Sequence, residues 1–397
     1  MNAAERPDAD TAAFLRDPHP VLARIRAASA VATLAYSGVP VWMLTRYADV
    51  SAALRDPRLG QDVRRTQRIA DRRSPGVGLG ADVVHMLNSD PPDHTRLRRL
   101  VQGLFTRRRV ESMRPMVARI AGDLLDAVGD RERFDVVRDF AFPLPMLIIC
   151  ELIGFPPEEM RSYRAWSTSI LTRGGEMPFE EAVSRMNAHV RDLMVTRRAA
   201  PREDILTELV RAHDDGELTE REVFSMVFLL LIGGHETTVN LLGTAVLSLL
   251  RHPDQAAWLR ARPGAMAMAV DEFLRFESPV GMATLRYTRE PMVVDGVEIP
   301  AEEMVLLSLG AANRDPDRFP DPDRLILDRN DPGHLAFGQG PHRCLGVFLG
   351  RLESEVALAA LLDRFVGIEL DADEADLRWR DTIMLRGLES LPVSVRR

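Results

Sequence analysis

The sequence contains no lysine: all 51 basic residues are arginine, against 59 acidic residues, and the formal net charge is −8. This acidic balance argues against general nucleic-acid binding, which requires a basic surface because counterion release from phosphates supplies the affinity. We therefore expect no nucleic-acid partner. A local basic face is still compatible with the total.

Cysteine is also scarce, with two residues in a chain of 397. Two cysteines are too few for a disulfide scaffold of this length. Cys150 lies in an apolar helical run, LPLPMLIICELIGFP, and we interpret it as a core residue. Cys344 follows a glycine-rich stretch and precedes a strongly periodic segment, so it requires a separate explanation.

The sequence lacks the apolar segments that direct proteins into membranes. Its first 20 residues contain charges and prolines where a signal peptide needs an apolar stretch, and no run of about 18 apolar residues follows. We expect a cytoplasmic protein without a membrane anchor. A chain of this length is compatible with two or three domains of ordinary size. No repeat or low-complexity linker divides it, however, so we expect one domain over residues 1–397.

Helical periodicity dominates the rest of the pattern. Apolar residues recur every three or four positions, as in amphipathic helices, through 108–128, 179–197 and 345–362. The segment from Val223 to Leu250 is apolar on nearly all sides, which predicts a helix through the interior. Strand patterns are short and few, at 40–45, 292–299 and 303–309. The proline- and aspartate-rich stretch 313–333 predicts a long ordered loop.

The most specific motif surrounds Cys344 and has the form Phe-x-x-Gly-x-x-x-Cys-x-Gly. Its glycines allow the backbone to approach a flat ligand closely. A cysteine just before a helix meets free backbone N–H groups, which favour the thiolate. In this chain the fixed positions are Phe337, Gly340, Cys344 and Gly346, and Gly338 is a further glycine within the motif. With average residue usage, Phe, three Gly and Cys in this register arise by chance on the order of once in ten thousand chains of this length.

This motif resembles the haem-binding loop of the cytochrome P450 family at every fixed position. The resemblance implies that haem b is the cofactor and that Cys344 is the axial thiolate ligand of its iron. It also implies cofactor-binding roles for Phe337, Gly338 and Gly346, and a bond from His342 to a haem propionate. A surface loop histidine is the alternative interpretation of His342.

The apolar helix contains a second family motif, Gly-Gly-His-Glu-Thr-Thr at 233–238. By resemblance, Gly234 and its neighbour open a groove for dioxygen, while Glu236 and Thr237 relay protons during oxygen activation. Close helix packing is the alternative explanation of the glycines. Independently of the family, a carboxylate in so apolar a helix is costly unless it is paired or reaches water, which marks Glu236 as functional.

Further family motifs supply cationic side chains. His94 and Arg98 are spaced i, i+4 on one helix face, and the resemblance implies that both contact a haem propionate, with Arg286 on the other side. The alternative interpretation of His94 and Arg98 is an ordinary basic helix face exposed to solvent. Glu272 and Arg275 resemble the buried Glu-x-x-Arg pair of the family, for which Arg324 is the expected third member.

Further arginines have two open interpretations. They either form an ordinary solvated surface or a face behind Cys344 on which an acidic ferredoxin or flavodoxin-like electron donor docks by complementary charge. These arginines are Arg96, Arg99, Arg107, Arg108, Arg109, Arg343 and Arg351.

Taken together, the motifs identify the chain as resembling soluble bacterial members of the family. The implied fold is mainly α, a single triangular helical domain with small β-sheets and haem between the apolar helix and the helix after Cys344. The implied activity is monooxygenation, in which one atom of O2 enters a bulky apolar substrate with electrons from NAD(P)H through a reductase and a donor protein. The alternatives are a peroxide-driven peroxygenase and a non-catalytic haem-thiolate sensor.

Substrate identity depends on the resemblance to actinobacterial biosynthetic members rather than on any residue. It implies late hydroxylation or epoxidation of a secondary metabolite, such as a macrolide or another polyketide antibiotic. The expected pocket contains soft methionine side chains able to adapt to a bulky ligand. Its expected segments are 63–88, 171–179, 280–284 and 383–385, together with Leu230, Gly234 and Thr238; their methionines include Met86, Met177, Met282 and Met384.

Overall fold

A computed structural model describes residues 12–36, 38–75, 83–171 and 177–397. Its α-helices are α1 Ala12–Arg16, α2 His19–Ala28, α3 Tyr47–Ala53, α4 Val63–Arg73, α5 Asp93–Gln102, α6 Arg107–Glu111, α7 Arg114–Val128, α8 Pro143–Ile153, α9 Met160–Leu171, α10 Phe179–Ala199, α11 Ile205–Asp214, α12 Glu220–Arg251, α13 Pro253–Arg260, α14 Met266–Phe276, α15 Leu309–Ala312 and α16 Val347–Arg364. The predicted helices are confirmed, except that 108–128 is interrupted and forms both α6 and α7.

The strands are short, and the mainly helical class predicted from the sequence is confirmed. They are β1 Val31–Tyr36, β2 Val39–Leu44, β3 Leu59–Gly60, β4 Arg133–Asp135, β5 Arg286–Thr288, β6 Met292–Val294, β7 Val297–Ile299, β8 Met304–Leu307, β9 Gly367–Leu370 and β10 Pro392–Arg396. They form a five-stranded sheet ordered β1-β2-β8-β5-β3, a three-stranded sheet ordered β4-β10-β9 and the hairpin β6-β7. The sheets hold β5, and with it Arg286, beside β8.

The hairpin and the central pairing of the larger sheet follow the predicted strand segments. The turn between β6 and β7 contains Asp295 and Gly296 at φ of 48° and 78°, as a tight hairpin turn requires. In the larger sheet β2 runs parallel to β8, with Trp42 opposite Val305.

Helix α12 is the central element of the fold. Its amino terminus is closed by a capping box in which the side chains of Thr219 and Glu222 bond each other's backbone N–H groups. By length and composition α12 could cross a membrane, but 67% of its most apolar window is buried within the protein, as in a core helix. It packs against α8, α14 and α16. The predicted path through the interior is therefore confirmed.

The predicted loop at 313–333 contains neither helix nor strand and is ordered by buried polar contacts. Asn313 donates from Nδ2 to Ser278 Oγ at 2.8 Å, and its Oδ1 accepts from the backbone N–H of Leu335 at 2.6 Å. These bonds hold the start of the loop against Ser278, which follows α14, and against Leu335, which lies just before the cysteine segment.

Candidate functional site

The cysteine loop, residues 337–346, turns sharply so that one sulfur faces open space. The backbone N–H of Cys344 donates to Phe337 O at 2.8 Å, and Gly338 and Gly340 have φ of 63° and 74°. At Gly340 a Cβ would lie 2.6 Å from Leu54 O, so only glycine fits. Cys344 is exposed, whereas Cys150 is 1% exposed and packs in the core as predicted.

The pKa of Cys344 is shifted in the direction opposite to the one expected for a cysteine just before a helix, where free backbone N–H groups favour the thiolate. Its side chain faces open space, yet enough protein surrounds it that desolvation raises the pKa of the thiol above its usual value. The Gly346 N–H, Arg98 and Arg343 act in the opposite direction but do not outweigh the burial. A thiolate at this position therefore requires a further positive charge, such as a metal ion bound to the sulfur.

The middle of α12 contributes a second face to the same region. Gly350 of α16 lies between the two: a Cβ there would be 3.9 Å from Thr238 Oγ1 and 4.0 Å from Phe337 Cε1. Gly233 is exposed, and the half-buried Thr237 donates from Oγ1 to Gly233 O at 3.3 Å. Gly233 and Thr237 thus leave open space on an otherwise buried helix.

The structure corrects the role assigned to Gly234. A Cβ at Gly234 would lie 2.8 Å from the side chain of Ile149 in α8, so this glycine permits close helix packing. At Gly233 the nearest atom to a Cβ would be Leu229 Cδ1 at 4.0 Å. Successive helix residues point about 100° apart, and it is Gly233 that faces the groove.

Glu236 is buried and ion-paired. Its carboxylate lies 3.1 Å from His235 Nε2 and 2.8 Å from Arg380 Nη2. Burial alone would raise the pKa of this carboxyl, but His235 and Arg380 outweigh the burial and lower it. The partners described for Glu236 do not include Thr237, so the two predicted relay residues occupy adjacent but separate surroundings.

A second buried carboxyl was missed by the sequence analysis. Glu353 of α16 is fully buried and accepts a bond from Thr238 Oγ1 at 3.0 Å, while its other oxygen has no partner in the described part of the chain. Burial raises the pKa of Glu353 to about 8, so the group is largely protonated at neutral pH. The sequence contains one signal for this carboxyl: Glu353 lies four residues after Leu349, at the spacing of the apolar residues within 345–362.

A cluster of cationic and imidazole side chains lies beside the cysteine loop. His94 is buried, its ring centroid is 4.2 Å from that of His342, and neither of its ring nitrogens has a partner among the described residues. Arg98 donates from Nη2 to Arg343 O at 2.8 Å. Desolvation, reinforced by neighbouring His94, Arg286 and Arg98, lowers the pKa of His342 to about 3, so this ring is neutral.

Arg286 is the most informative member of this cluster. It is 4% exposed, no carboxylate lies within ion-pair distance in the described ranges, and its Nε has no partner. Burial lowers its pKa to about 10, which leaves the guanidinium charged at neutral pH. Because a buried unpaired charge is costly, this position indicates an anionic ligand. Thus His94, Arg98, Arg286 and His342 lie together as predicted.

The Glu-x-x-Arg pair is buried as predicted, but its third member is Arg329 and not Arg324. Arg275 bonds Glu272 through Nε at 2.7 Å and Nη2 at 2.8 Å. Arg329 Nε lies 3.2 Å from both Glu272 oxygens. The Arg324 side chain is 73% exposed, and that residue contributes only its backbone oxygen to Arg275.

We expect this correction to appear in stability measurements. Arg329→Ala should lower the free energy of unfolding by roughly 3 kcal/mol, because it leaves a buried carboxylate with one fewer cationic partner. Arg324→Ala should change it by less than about 0.5 kcal/mol, as for most exposed side chains. Denaturant unfolding of both variants measures the difference, and equal losses would contradict the assignment.

The predicted pocket residues are only partly described. Residues 76–82 and 172–176 lie outside the described residues. Met86 is buried in the large core that contains α12, and Met177 packs against it, while Met282 and Met384 belong to a second cluster with Ile383. Their joint contact with one substrate stays a prediction.

The arginine face divides into paired and unpaired members. Arg96, Arg99 and Arg351 pair with Glu222, Glu217 and Asp271, respectively. Within the described ranges no ion pair is found for Arg107, Arg108, Arg109 and Arg343, all exposed. The short helix α6, which contains the first three, packs against α16, the helix that follows the cysteine loop.

Comparisons with known proteins agree with this geometry. The family model "Cytochrome P450" matches residues 265–381. Cytochrome P450 107B1 of Saccharopolyspora erythraea is 45% identical, covering 99% of each chain, and 6-deoxyerythronolide B hydroxylase of the same organism is 41% identical, covering 98% of each. The tirandamycin C-bound P450 monooxygenase TamI superposes with a TM-score of 0.89 at 44% identity, covering 97% of this chain and 99% of that chain. The chain belongs to the cytochrome P450 family of haem-dependent monooxygenases.

Proposed function

We propose that this protein oxidises a bulky, mostly apolar natural product at the face between α12 and the cysteine loop, with Cys344 as the thiolate ligand of haem b. The single observation that supports it best is the convergence of an open-faced cysteine, an open groove at Gly233 and Thr237, and a buried, unpaired Arg286. Each of these features is unfavourable or unexplained in the protein alone.

The residues present fit haem. Its iron accounts for the sulfur of Cys344, and its two carboxylates account for the unpartnered nitrogens of His94 and the buried charge of Arg286. Arg98 and His342 complete the donor set around those carboxylates. When bound, haem supplies the iron that activates O2 for insertion into a C–H or C=C bond. Phe337, Gly338 and Gly346 carry no charge, and their role is to form the loop that holds Cys344.

The surrounding residues orient the substrate and hold protons. In hydroxylation, one O2, two electrons and two protons convert a C–H bond to C–OH and release one water. The Thr237 hydroxyl donates its single proton to Gly233 O at 3.3 Å and lies at the open groove, so rotation of the hydroxyl can redirect that proton to an oxygen there. Glu353 stores a proton behind Thr238, and Glu236 stays ionised beside Arg380. The two carboxyls therefore have opposite protonation states at neutral pH.

The electron donor is part of the proposal. Oxygen insertion consumes two electrons, and we infer that the donor here is an acidic ferredoxin or flavodoxin-like protein with an NAD(P)H reductase. Arg107, Arg108, Arg109 and Arg343 are exposed cations without a described acidic partner; the first three lie on α6, which packs against α16, and Arg343 lies in the cysteine loop itself. This arrangement supports docking over simple solvation.

Substrate class, domain organisation and location complete the proposal. The similarity to 6-deoxyerythronolide B hydroxylase and to the tirandamycin C-bound monooxygenase supports late tailoring of a macrolide or related polyketide. The contacts of α12 with α8, α14 and α16 support one domain over the whole chain. The similarity to monooxygenases of bacteria supports the cytoplasm as the location of the protein.

Paired turnover assays test this function. With NAD(P)H, a surrogate ferredoxin and its reductase, we expect product from a macrolactone panel, and we expect little product with hydrogen peroxide alone. Product with peroxide alone would favour a peroxygenase, and no product under either condition despite ligand binding would favour a sensor. A Soret-band titration checks the substrate class first, since absence of a shift with every macrolide would contradict it.

A further inference from the structure

A polar cluster joins α14, α16 and the segment that leads into the cysteine loop. It consists of Asp271, His334 and Arg351, which we call the Asp271 cluster. Arg351 donates from Nε to Asp271 Oδ1 at 2.8 Å, and its Nη2 lies 2.7 Å from the same oxygen. His334 Nε2 lies 3.3 Å from that oxygen as well. One carboxylate oxygen therefore connects two helices to the start of the cysteine loop, and the proposed function gives it no role.

The imidazole of His334 is held in one tautomer by its two bonds. Its Nδ1 accepts from the backbone N–H of Ala336 at 3.2 Å, so the ring proton lies on Nε2 and is donated to Asp271. The His334 side chain is 1% exposed, and its neutral ring adds no charge. The Asp271 cluster therefore contains one anion and one cation, Asp271 and Arg351.

The cluster contacts Phe337, the first residue of the cysteine loop. The guanidinium carbon of Arg351 lies over the Phe337 ring, 5.3 Å from its centroid, where a cation is attracted by the electrons of the aromatic face. The centroid of the His334 ring is 5.8 Å from that of Phe337. The Phe337 carbonyl accepts the backbone N–H of Cys344 at 2.8 Å. Contacts that fix Phe337 thus also fix the backbone from which the Cys344 sulfur extends.

The charges of the pair are only partly screened by water. Burial alone would raise the pKa of Asp271, but the bond from His334 and the charge of Arg351 outweigh the burial and lower it. The Asp271 side chain is 21% exposed and that of Arg351 is 31% exposed. A unit charge about 10 Å away, at an effective dielectric constant of about 20, changes a one-electron equilibrium by on the order of tenfold. Loss of either partner should therefore affect an iron bound to Cys344.

We propose that Asp271 is a positioning residue that sets the reduction potential of the haem iron. It holds Arg351 and His334 against Phe337, and it cancels the positive charge of Arg351, which would otherwise favour the reduced iron. The inference rests on the proposed ligation of haem by Cys344. It adds residues of α14 and α16 to the part of the protein that controls uptake of the first electron.

Opposite shifts of the reduction potential test this role. Asp271→Asn leaves the Arg351 cation unpaired and should raise the ratio of reduced to oxidised iron about three- to tenfold at a fixed applied potential. Arg351→Gln leaves the Asp271 anion unpaired and should lower that ratio by a similar factor. A tenfold change equals about 59 mV for a one-electron couple. The measurement is a spectroelectrochemical titration of the substrate-free, haem-loaded protein, and it requires no turnover.

Three further variants separate charge from structure. Asp271→Asn combined with Arg351→Gln removes both charges and should return the potential close to that of the wild type. Arg351→Lys keeps the cation and should also stay close to it. Arg364→Gln is the matched control and should leave the potential unchanged. Arg364 lies at the far end of α16, pairs with Asp126 and is 35% exposed, so its removal takes away a similar surface ion pair that does not touch the cysteine loop.

A purely structural role of the Asp271 cluster gives a different pattern. Loosening of the cysteine loop would shift both single variants in the same direction and the double variant further. That pattern, or an unchanged potential in both single variants, would overturn the proposal. If Asp271→Asn does not retain haem, Arg351→Gln and Arg351→Lys still decide, since only the Gln variant should lower the potential. Wild-type protein without the thiolate-specific absorbance band of its reduced carbonyl complex would instead contradict the ligation by Cys344, whatever the potentials.

Discussion

Cys344→Ser should abolish the thiolate-specific absorbance band of the reduced, carbonyl-bound protein and with it oxygen insertion. A serine hydroxyl is not ionised at neutral pH, even beside the Gly346 N–H, and its oxygen is a much poorer electron donor to iron than a thiolate. Desolvation already opposes ionisation of the Cys344 thiol itself, so iron must stabilise the anion. The serine hydroxyl is too weak an acid for iron to stabilise its anion in the same way.

The second cysteine supplies the control for this experiment. Cys150 is buried against Met146, and burial raises the pKa of its thiol to about 12. Cys150→Ala should retain the absorbance band and lose about 1 kcal/mol of stability from lost packing. If both variants retained the band, or if only Cys150→Ala lost it, the ligand assignment to Cys344 would be wrong.

Loss of the band through misfolding must be distinguished from loss of the ligand. Cys344→His supplies a ligand that binds haem iron without a thiolate, and we expect it to retain haem with an imidazole-type spectrum. Circular dichroism and haem content, measured on the Ser and His variants alike, show whether the fold survives. A folded, haem-containing Cys344→Ser protein with the thiolate band would contradict the assignment directly.

The parts of the site that were predictable from sequence are those encoded locally. The cysteine loop needs two positive-φ glycines and a cysteine at fixed spacing, which a single segment reveals. The interior path of α12 follows from its apolar composition in the same way. Both depend on backbone geometry and burial, which neighbouring residues largely determine.

The sequence predictions that the structure corrects are of two kinds. In one, the partner residue lies far along the chain; in the other, the prediction depends on which side of a helix a residue faces. Arg324 and Arg329 both occupy an irregular loop without periodicity, so nothing local indicates which side chain reaches Glu272. Gly233 and Gly234 differ by one position, and only packing against Ile149 shows which one faces the groove. Arg380 lies 144 positions after Glu236, beyond any local pattern.

The two buried carboxyls near α12 show how one fold separates protonation states. Glu236 has His235 and Arg380 beside it, and these lower its pKa despite burial. Among the described residues Glu353 bonds the Thr238 hydroxyl alone, and burial raises the pKa of Glu353 to about 8. Environments that move two titratable groups apart in this way are typical of proton-handling sites. The Thr237 hydroxyl, which lies at the groove, is therefore the next group to test.

Thr237→Ala should retain haem and substrate binding but divert most electrons to hydrogen peroxide, with coupling reduced by roughly tenfold or more. The mutation removes the hydroxyl that bonds Gly233 O at 3.3 Å, and it leaves the Thr238 bond to Glu353 in place. Thr237→Ser restores the hydroxyl and should recover most of the coupling, whereas Thr237→Val keeps the shape and should not. Peroxide and product measured per NAD(P)H distinguish these outcomes. Unchanged coupling in Thr237→Ala would remove this hydroxyl from the proton relay and leave Glu353 and Glu236 as the groups that supply it.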